Sequence, residues 1–157
     1  MVPVRLRNGE LCDRGLELLH QMVLSRALPD CPFAEQQAAI PALFDSVESL
    51  NRLCEVSGGH VRELLRLLNG WIRKGRQCPL SREALETTIR ARRNEMTLQL
   101  SDDEWALLRQ VRQRQWAGGD QDYQTLIHSR LVYEYRNQGE SWFDVNPLLL
   151  ESEQLQG

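Results

Sequence analysis

Residues 57–69 read Ser-Gly-Gly-His-Val-Arg-Glu-Leu-Leu-Arg-Leu-Leu-Asn, and these residue types at this spacing suit recognition of an anion. Gly58 and Gly59 close one helical pattern, and a second starts at once with Arg62 in its first turn. A helix start presents unpaired N–H groups and the positive end of the helix dipole. An arginine there adds a forked, permanently charged donor that matches phosphate. His60 places a titratable ring beside it. Arg66, four residues on, shares the Arg62 face and can assist it or pair with Glu63, the second being its expected role. The sequence has no Gly-x-x-x-x-Gly-Lys-Ser/Thr loop, so it cannot cradle a triphosphate by that route.

No spacing of serines, histidines and carboxylates joins a nucleophile to a base, so no catalytic residue is assigned. Asp102-Asp103-Glu104 imitates a metal cluster, but a helix capping box accounts for it. Cys12, Cys31, Cys54 and Cys78 include no close pair. That spacing suits neither zinc nor a disulfide framework, and the four read as reduced packing residues, with no metal expected.

The chain has 157 residues and a hydrophobic fraction of 41%, an ordinary value for one globular domain or two small ones. No apolar run approaches the roughly 18 residues that cross a bilayer. The start, Met-Val-Pro-Val-Arg-Leu-Arg, lacks the apolar stretch of a signal peptide. A cytoplasmic protein without a membrane partner is expected. Charge is uneven: residues 52–96 carry ten basic and five acidic groups, and residues 97–157 carry five and ten. A basic middle favours an anionic partner, and an acidic last third opposes tight binding to a phosphate backbone.

Alternating Val2, Val4 and Leu6 predict an extended segment over residues 1–10 that needs an outside partner or lies loose, ending in an Asn8-Gly9 turn. Asp13 can cap a helix to about Ala27, with Leu16, Leu19, Val23 and Leu24 on one face. Residues 28–41, with Pro29, Pro32 and Pro41, read as a loop with room for a short helix. Helices follow over about 46–56, 60–73 and 82–97, separated by Gly58-Gly59 and by Gly75 with Pro79. They predict a small bundle, residues 11–97. The outer face of the last helix carries Arg90, Arg92 and Arg93, read as a solvated face.

A second unit, residues 98–150, is expected after a boundary near 99–101. Ser101 and Glu104 form a capping box for a helix to about Gln115. Gly118-Gly119-Asp120 is a turn, and a shorter helix covers about 122–129. Two strands, 131–136 and 141–145, flank Asn137-Gln-Gly-Glu140 as a hairpin. Helix, turn, helix, hairpin is the order of a winged helix. Pro147 starts a final short helix, and residues 151–157 read as a flexible tail. The fold class is thus mainly α: a helical lid bundle, then a winged helix with a β-hairpin wing.

This order of parts resembles the C-terminal portion of an AAA+ or STAND-type P-loop ATPase. Ser57-Gly58-Gly59-His60-Val61-Arg62 is similar to the sensor-2 motif of the lid. Pro3-Val4-Arg5 looks like the exit from the last strand of an ATPase core. Trp142-Phe-Asp-Val-Asn-Pro-Leu-Leu149 is similar to winged-helix ends in bacterial ATPases of this kind. The resemblance covers nearly the whole chain. It implies a lid that closes over nucleotide held by the chain's own N-terminal core, with Arg62 contacting the phosphates beside Gly58, Gly59 and His60. The core would bring the P-loop, magnesium and catalytic carboxylate, so ATP or ADP with magnesium is expected only with that core, and no hydrolysis by this chain alone. In STAND relatives a histidine after the wing can touch the bound diphosphate; Asn146 stands at roughly that place.

Two alternatives stay open: a stand-alone winged-helix DNA binder, and a protein-interaction module indifferent to nucleotide. Gln124, His128, Arg130 and Arg136 are the candidate contacts to DNA or protein. Scarce cations near the second helix and the wing tip favour protein, either another subunit or an effector domain. Trp71 and Trp105 have core spacing, whereas Trp116, beside the Gly-Gly turn, is the candidate exposed contact.

Overall fold

The computed structural model describes residues 1–156 and is mainly helical, with one two-stranded antiparallel hairpin. Two compact units divide within one helix: Val2–Ala91, and the chain from Arg92 onward. Among the described residues, no helix is long and apolar enough to cross a membrane.

The first unit contains α1 (Asp13–Ala27), α2 (Phe33–Ala38), α3 (Ile40–Leu43), α4 (Val47–Ser57), α5 (Val61–Gly75) and most of α6 (Arg82–Thr97). Leu19, Val23 and Leu24 of α1, Leu50 and Leu53 of α4, Leu64 and Leu67 of α5, and Leu85 and Ile89 of α6 are buried. Their spacing puts them on one stripe per helix, and burying those stripes together is the main driving force for the bundle. Trp71 is fully buried, packs 5.2 Å from the Phe44 ring, and donates its indole N–H to the Ser81 carbonyl at 2.8 Å. A buried Trp needs that partner. Where α5 nears α6 there is no room for a side chain: a Cβ on Gly70 would lie 2.8 Å from Thr88 Cγ2.

Several boundaries differ from those read in the sequence. The cap of α1 is Cys12, and Asp13 is the first helical residue, where its charge favours the helix dipole. The proline-containing segment forms two short helices, with Pro41 accommodated in the first turn of α3. Helix α5 runs through Gly75 before Arg76 ends it at φ 63°. Gly75 lies against Leu80, where an added Cβ would come within 2.7 Å. Gly75 is thus the last helical residue, packed against the end of the Leu80 side chain.

The N-terminal residues are neither a strand nor loose. Val4 is 2% exposed, Arg5 forms an isolated antiparallel bridge with Leu11, and the Cys12 N–H donates to the Val4 carbonyl at 2.7 Å. Arg5 also pairs with Glu55 at 3.1 Å. The outside partner demanded by alternation is the bundle itself.

The second unit contains the end of α6, α7 (Asp102–Arg114), α8 (Gln121–His128), β1 (Val132–Asn137), β2 (Glu140–Val145), a 3-10 turn (Pro147–Leu149) and α9 (Glu153–Gln156). Ser101 and Glu104 make both bonds of the capping box. Trp105, Leu108, Val111, Tyr123, Leu126, Val132, Val145 and Leu149 form its core. Tyr135 pairs with Trp142 across the hairpin, their rings stacked at 5.6 Å. Gln138 and Gly139 turn it with φ 51° and 82°, the left-handed pair that matches strand twist. Of the residues after Glu151, expected to fray, Glu153–Gln156 form α9, with Leu155 on the core and the Gln154 carbonyl accepting from Arg109 at 2.6 Å; Gly157 lies outside the described residues.

The helix face Arg90, Arg92, Arg93 is not simply solvated. Arg93 is 15% exposed; its Nε donates to the Leu148 carbonyl at 2.6 Å and its Nη2 pairs with Glu151 at 3.2 Å. This long-range anchoring ties the last turns of α6 to the segment after the hairpin. Arg92 pairs with Glu95, and Arg90 donates to Thr87.

In the first unit, Glu86 receives Arg52 at 3.1 Å and Arg82 at 2.8 Å. Partial burial pushes its carboxyl up, but the two guanidinium groups outweigh that and hold it below its ordinary value. A carboxylate lowered on folding contributes stability above the ordinary carboxylate range and loses it as pH falls through the lowered value. Glu86→Gln is therefore expected to cost about 1 kcal/mol at neutral pH, and the difference from wild type to vanish in acid; urea unfolding against pH checks this. Gly59→Ala, which puts a Cβ at φ 86° and 1.6 Å from a backbone oxygen, is expected to cost more than about 2 kcal/mol. Gly119→Ala, with nothing within 4 Å, should melt like wild type by circular dichroism.

Candidate functional site

The turn between α4 and α5 is built from both sides. Gly58 caps α4 at φ 66°, donating to the Glu55 carbonyl, and Gly59 follows at φ 86°. Both are buried. Ser57 Oγ donates to the Cys54 carbonyl at 2.6 Å and accepts from the Gly59 N–H at 3.2 Å. The Val2 N–H donates to the Gly59 carbonyl at 3.1 Å, and a Cβ on Gly59 would lie 1.6 Å from the Val2 carbonyl oxygen. Only glycine fits where the Val2 backbone passes this close.

His60 is the N-cap of α5, its Nδ1 accepting from the Glu63 N–H at 3.4 Å. It is half-buried and holds the helix start. Glu63, in the first turn, is 5% exposed and lies 3.6 Å from Arg66. Arg66 thus takes the pairing role expected of it. Arg62 is exposed, and among the described residues it has no ion-pair or hydrogen-bond partner. Gly58, Gly59, His60 and Arg62 therefore share one short turn, with the guanidinium as its outward charge.

The electrostatics of this turn are mixed. The helix start attracts an anion, but the Glu63 carboxylate already occupies part of that field. Arg66 offsets Glu63, which leaves Arg62 as the uncompensated cation. An exposed arginine alone binds phosphate weakly against solvent screening. The turn can act on an anion that another surface holds in place.

Asn146 has a different role from the one expected after the wing. It is 1% exposed. Its Oδ1 accepts from the Leu148 N–H at 3.0 Å, capping the 3-10 turn. Its Nδ2 donates to the Arg130 carbonyl at 2.9 Å and the Tyr133 hydroxyl at 3.1 Å. The buried side chain ties the hairpin to the preceding loop.

The candidate contacts of the second unit are dispersed. Gln124 is half-buried and donates to the Gly118 carbonyl at 3.3 Å. His128 is exposed in the last turn of α8, and Arg130 is exposed at φ 66° two residues on. Arg136 is 78% exposed and pairs with Glu134 at 3.0 Å. Trp116 is 54% exposed and meets Tyr123 edge-on at 5.9 Å. Trp71 and Trp105 are buried. Arg112 pairs with Asp144 at 2.6 Å; burial of Asp144 pushes its carboxyl up, against the pull of Arg112.

Among the described residues, no three His, Cys, Asp or Glu side chains gather as a metal would need. The four cysteines are free; Cys54 is buried, which pushes its thiol up to about 12, and Cys78 is exposed. Compared with protein-family models, curated proteins and solved structures, the chain matches none.

The long-range bonds of Arg93 and of the Asn146 amide nitrogen had no local signal in the sequence, because their partners lie far along the chain, whereas an Asn before Pro147 is the local mark of the cap. Asn146→Ala is expected to lower stability by about 2–4 kcal/mol, through the lost cap and the buried groups left unpaired. Thermal and urea unfolding measure it, and an unchanged midpoint would contradict the capping role.

Proposed function

We propose that this chain is the nucleotide-responsive part of an AAA+ or STAND-like P-loop ATPase. The first unit acts as its helical lid and the second as its winged helix. One observation carries the reading: Arg62 is exposed, and without a partner among the described residues, on the first turn of α5, directly after the buried Gly58-Gly59 turn. A lid needs such a charge, presented outward from a rigid base and not neutralised at home.

On this reading a P-loop core holds ATP or ADP with magnesium and supplies the catalytic groups. Bound nucleotide presents phosphate charge at the core's surface. Arg62 binds that charge, so the lid-closed arrangement gains stability in proportion to its differential contact with the phosphates. His60, as the cap, fixes the helix start from which Arg62 projects. The process is cytoplasmic.

The second unit passes the nucleotide state to another subunit or an effector domain through protein contacts. Its cations favour protein over DNA: Arg93, Arg112 and Arg136 are each paired with a carboxylate, which leaves only the exposed Arg114 and Arg130 without a partner for their side chains among the described residues, whereas groove-facing arginines must be available to phosphates and bases. Trp116 offers an exposed aromatic surface for such a partner. A salt-dependent shift on duplex DNA would restore the DNA-binding alternative.

The isolated chain is expected to turn over no ATP. With its P-loop core, Arg62→Ala is expected to weaken nucleotide-dependent switching roughly tenfold or more, the worth of a charge-assisted hydrogen bond. Arg62→Lys should restore part of it. The readout is the nucleotide concentration that half-saturates lid closure, followed by a fluorescent pair across lid and core. No change in Arg62→Ala would remove Arg62 from the site.

A further inference from the structure

The first unit holds a cavity of about 390 Å³, of the size that small-molecule sites occupy. Val23 of α1, Phe44 after α3, and Leu68 and Ile72 of α5 give it an apolar wall. Arg26, in the last turn of α1, and Arg76, which ends α5, also line it. Both arginines are exposed, and among the described residues neither has an acidic partner. A positive charge near a helix C-terminus is favourable by itself. That does not require two such charges to flank one apolar cavity. Ile72 is 50% exposed, so a large aliphatic side chain of this wall faces water.

We propose that this cavity binds a free aliphatic carboxylate, its chain against Val23, Phe44, Leu68 and Ile72 and its head group on Arg26 and Arg76. Burial of the chain supplies most of the affinity. The two guanidinium groups select an anionic head over a neutral one, since each can hold a carboxylate by paired N–H bonds. A neutral apolar ligand would leave both arginines without a counter-charge, and a small anion alone would leave the Ile72 side chain in water. The site is independent of Arg62 and stands or falls separately from the nucleotide reading.

Calorimetric titration with laurate, kept below its micelle concentration, tests the site. One laurate per chain is expected, with dodecanol binding more weakly. The double variant Arg26→Gln/Arg76→Gln, both at exposed positions, should lose about tenfold or more in laurate affinity while dodecanol is unaffected. Ile72→Trp, also at an exposed position, should block both ligands, with helix content unchanged by circular dichroism. The proposal is overturned if laurate does not bind, if it binds at many sites per chain, or if neither variant alters it. It is equally overturned if the chain binds anionic phospholipid vesicles but not free laurate. A dimer dispersed by Ile72→Glu would assign the apolar wall to a second copy of this chain instead.

Discussion

The close passage of the Val2 backbone over Gly59 is the constraint from which the first unit is organised. It fixes the end of α4 and the start of α5 at once, because Gly59 is hydrogen-bonded to Val2 through its carbonyl and to Ser57 through its N–H. A residue with a Cβ cannot stand there. The same N-terminal segment closes on itself through Val4 and Cys12 and reaches α4 through Arg5 and Glu55. The position from which Arg62 projects is therefore set by backbone contacts, not by the arginine's own interactions. A charge on such a base keeps its direction without being neutralised, as a responsive group requires.

Charge is used differently in the two units. In the second, Arg93, Arg112 and Arg136 meet carboxylates, and Arg109 meets a backbone carbonyl. These cations hold the fold together: Arg93 ties α6 to the segment after the hairpin, and Arg112 ties α7 to β2. In the first unit, Arg52 and Arg82 converge on Glu86. Arg26, Arg62 and Arg76 are among several cations, Arg73 and Lys74 also, that have no acidic partner among the described residues. The excess of basic groups in the middle of the sequence thus divides between structural pairs and outward charges. An anionic ligand gains most at the outward ones, because binding there breaks no existing pair.

What the sequence revealed follows from the range of each interaction. The capping box at Ser101, the hairpin with Gly139 in its turn, and the apolar stripe of α1 rest on spacings of a few residues, and their positions could be read directly. The double glycine was legible as a helix stop, but its deeper cause, the approach of Val2 nearly sixty residues earlier, was not. Asn146 resembled a ligand contact by position; its cap on Leu148 is local, but its amide meets Arg130 and Tyr133 only once the hairpin has formed. Gly75 resembled a stop, and Leu80 packing against it explains its place inside α5. Arg26 and Arg76 stand fifty residues apart in sequence and share a cavity only after α1 and α5 pack. Long-range packing decided each of these, and periodicity carries no record of it.

The central claim concerns where the Arg62 guanidinium goes when a nucleotide is held opposite it. A crystal structure of the chain joined to the P-loop core proposed for it, with a non-hydrolysable ATP analogue and magnesium, measures that directly. The account predicts the guanidinium within hydrogen-bond distance of a phosphate oxygen, with the Gly58-Gly59 turn and Val2 contact unchanged. A guanidinium turned to solvent or to the Glu63 carboxylate, with phosphates contacted by other residues, would contradict it.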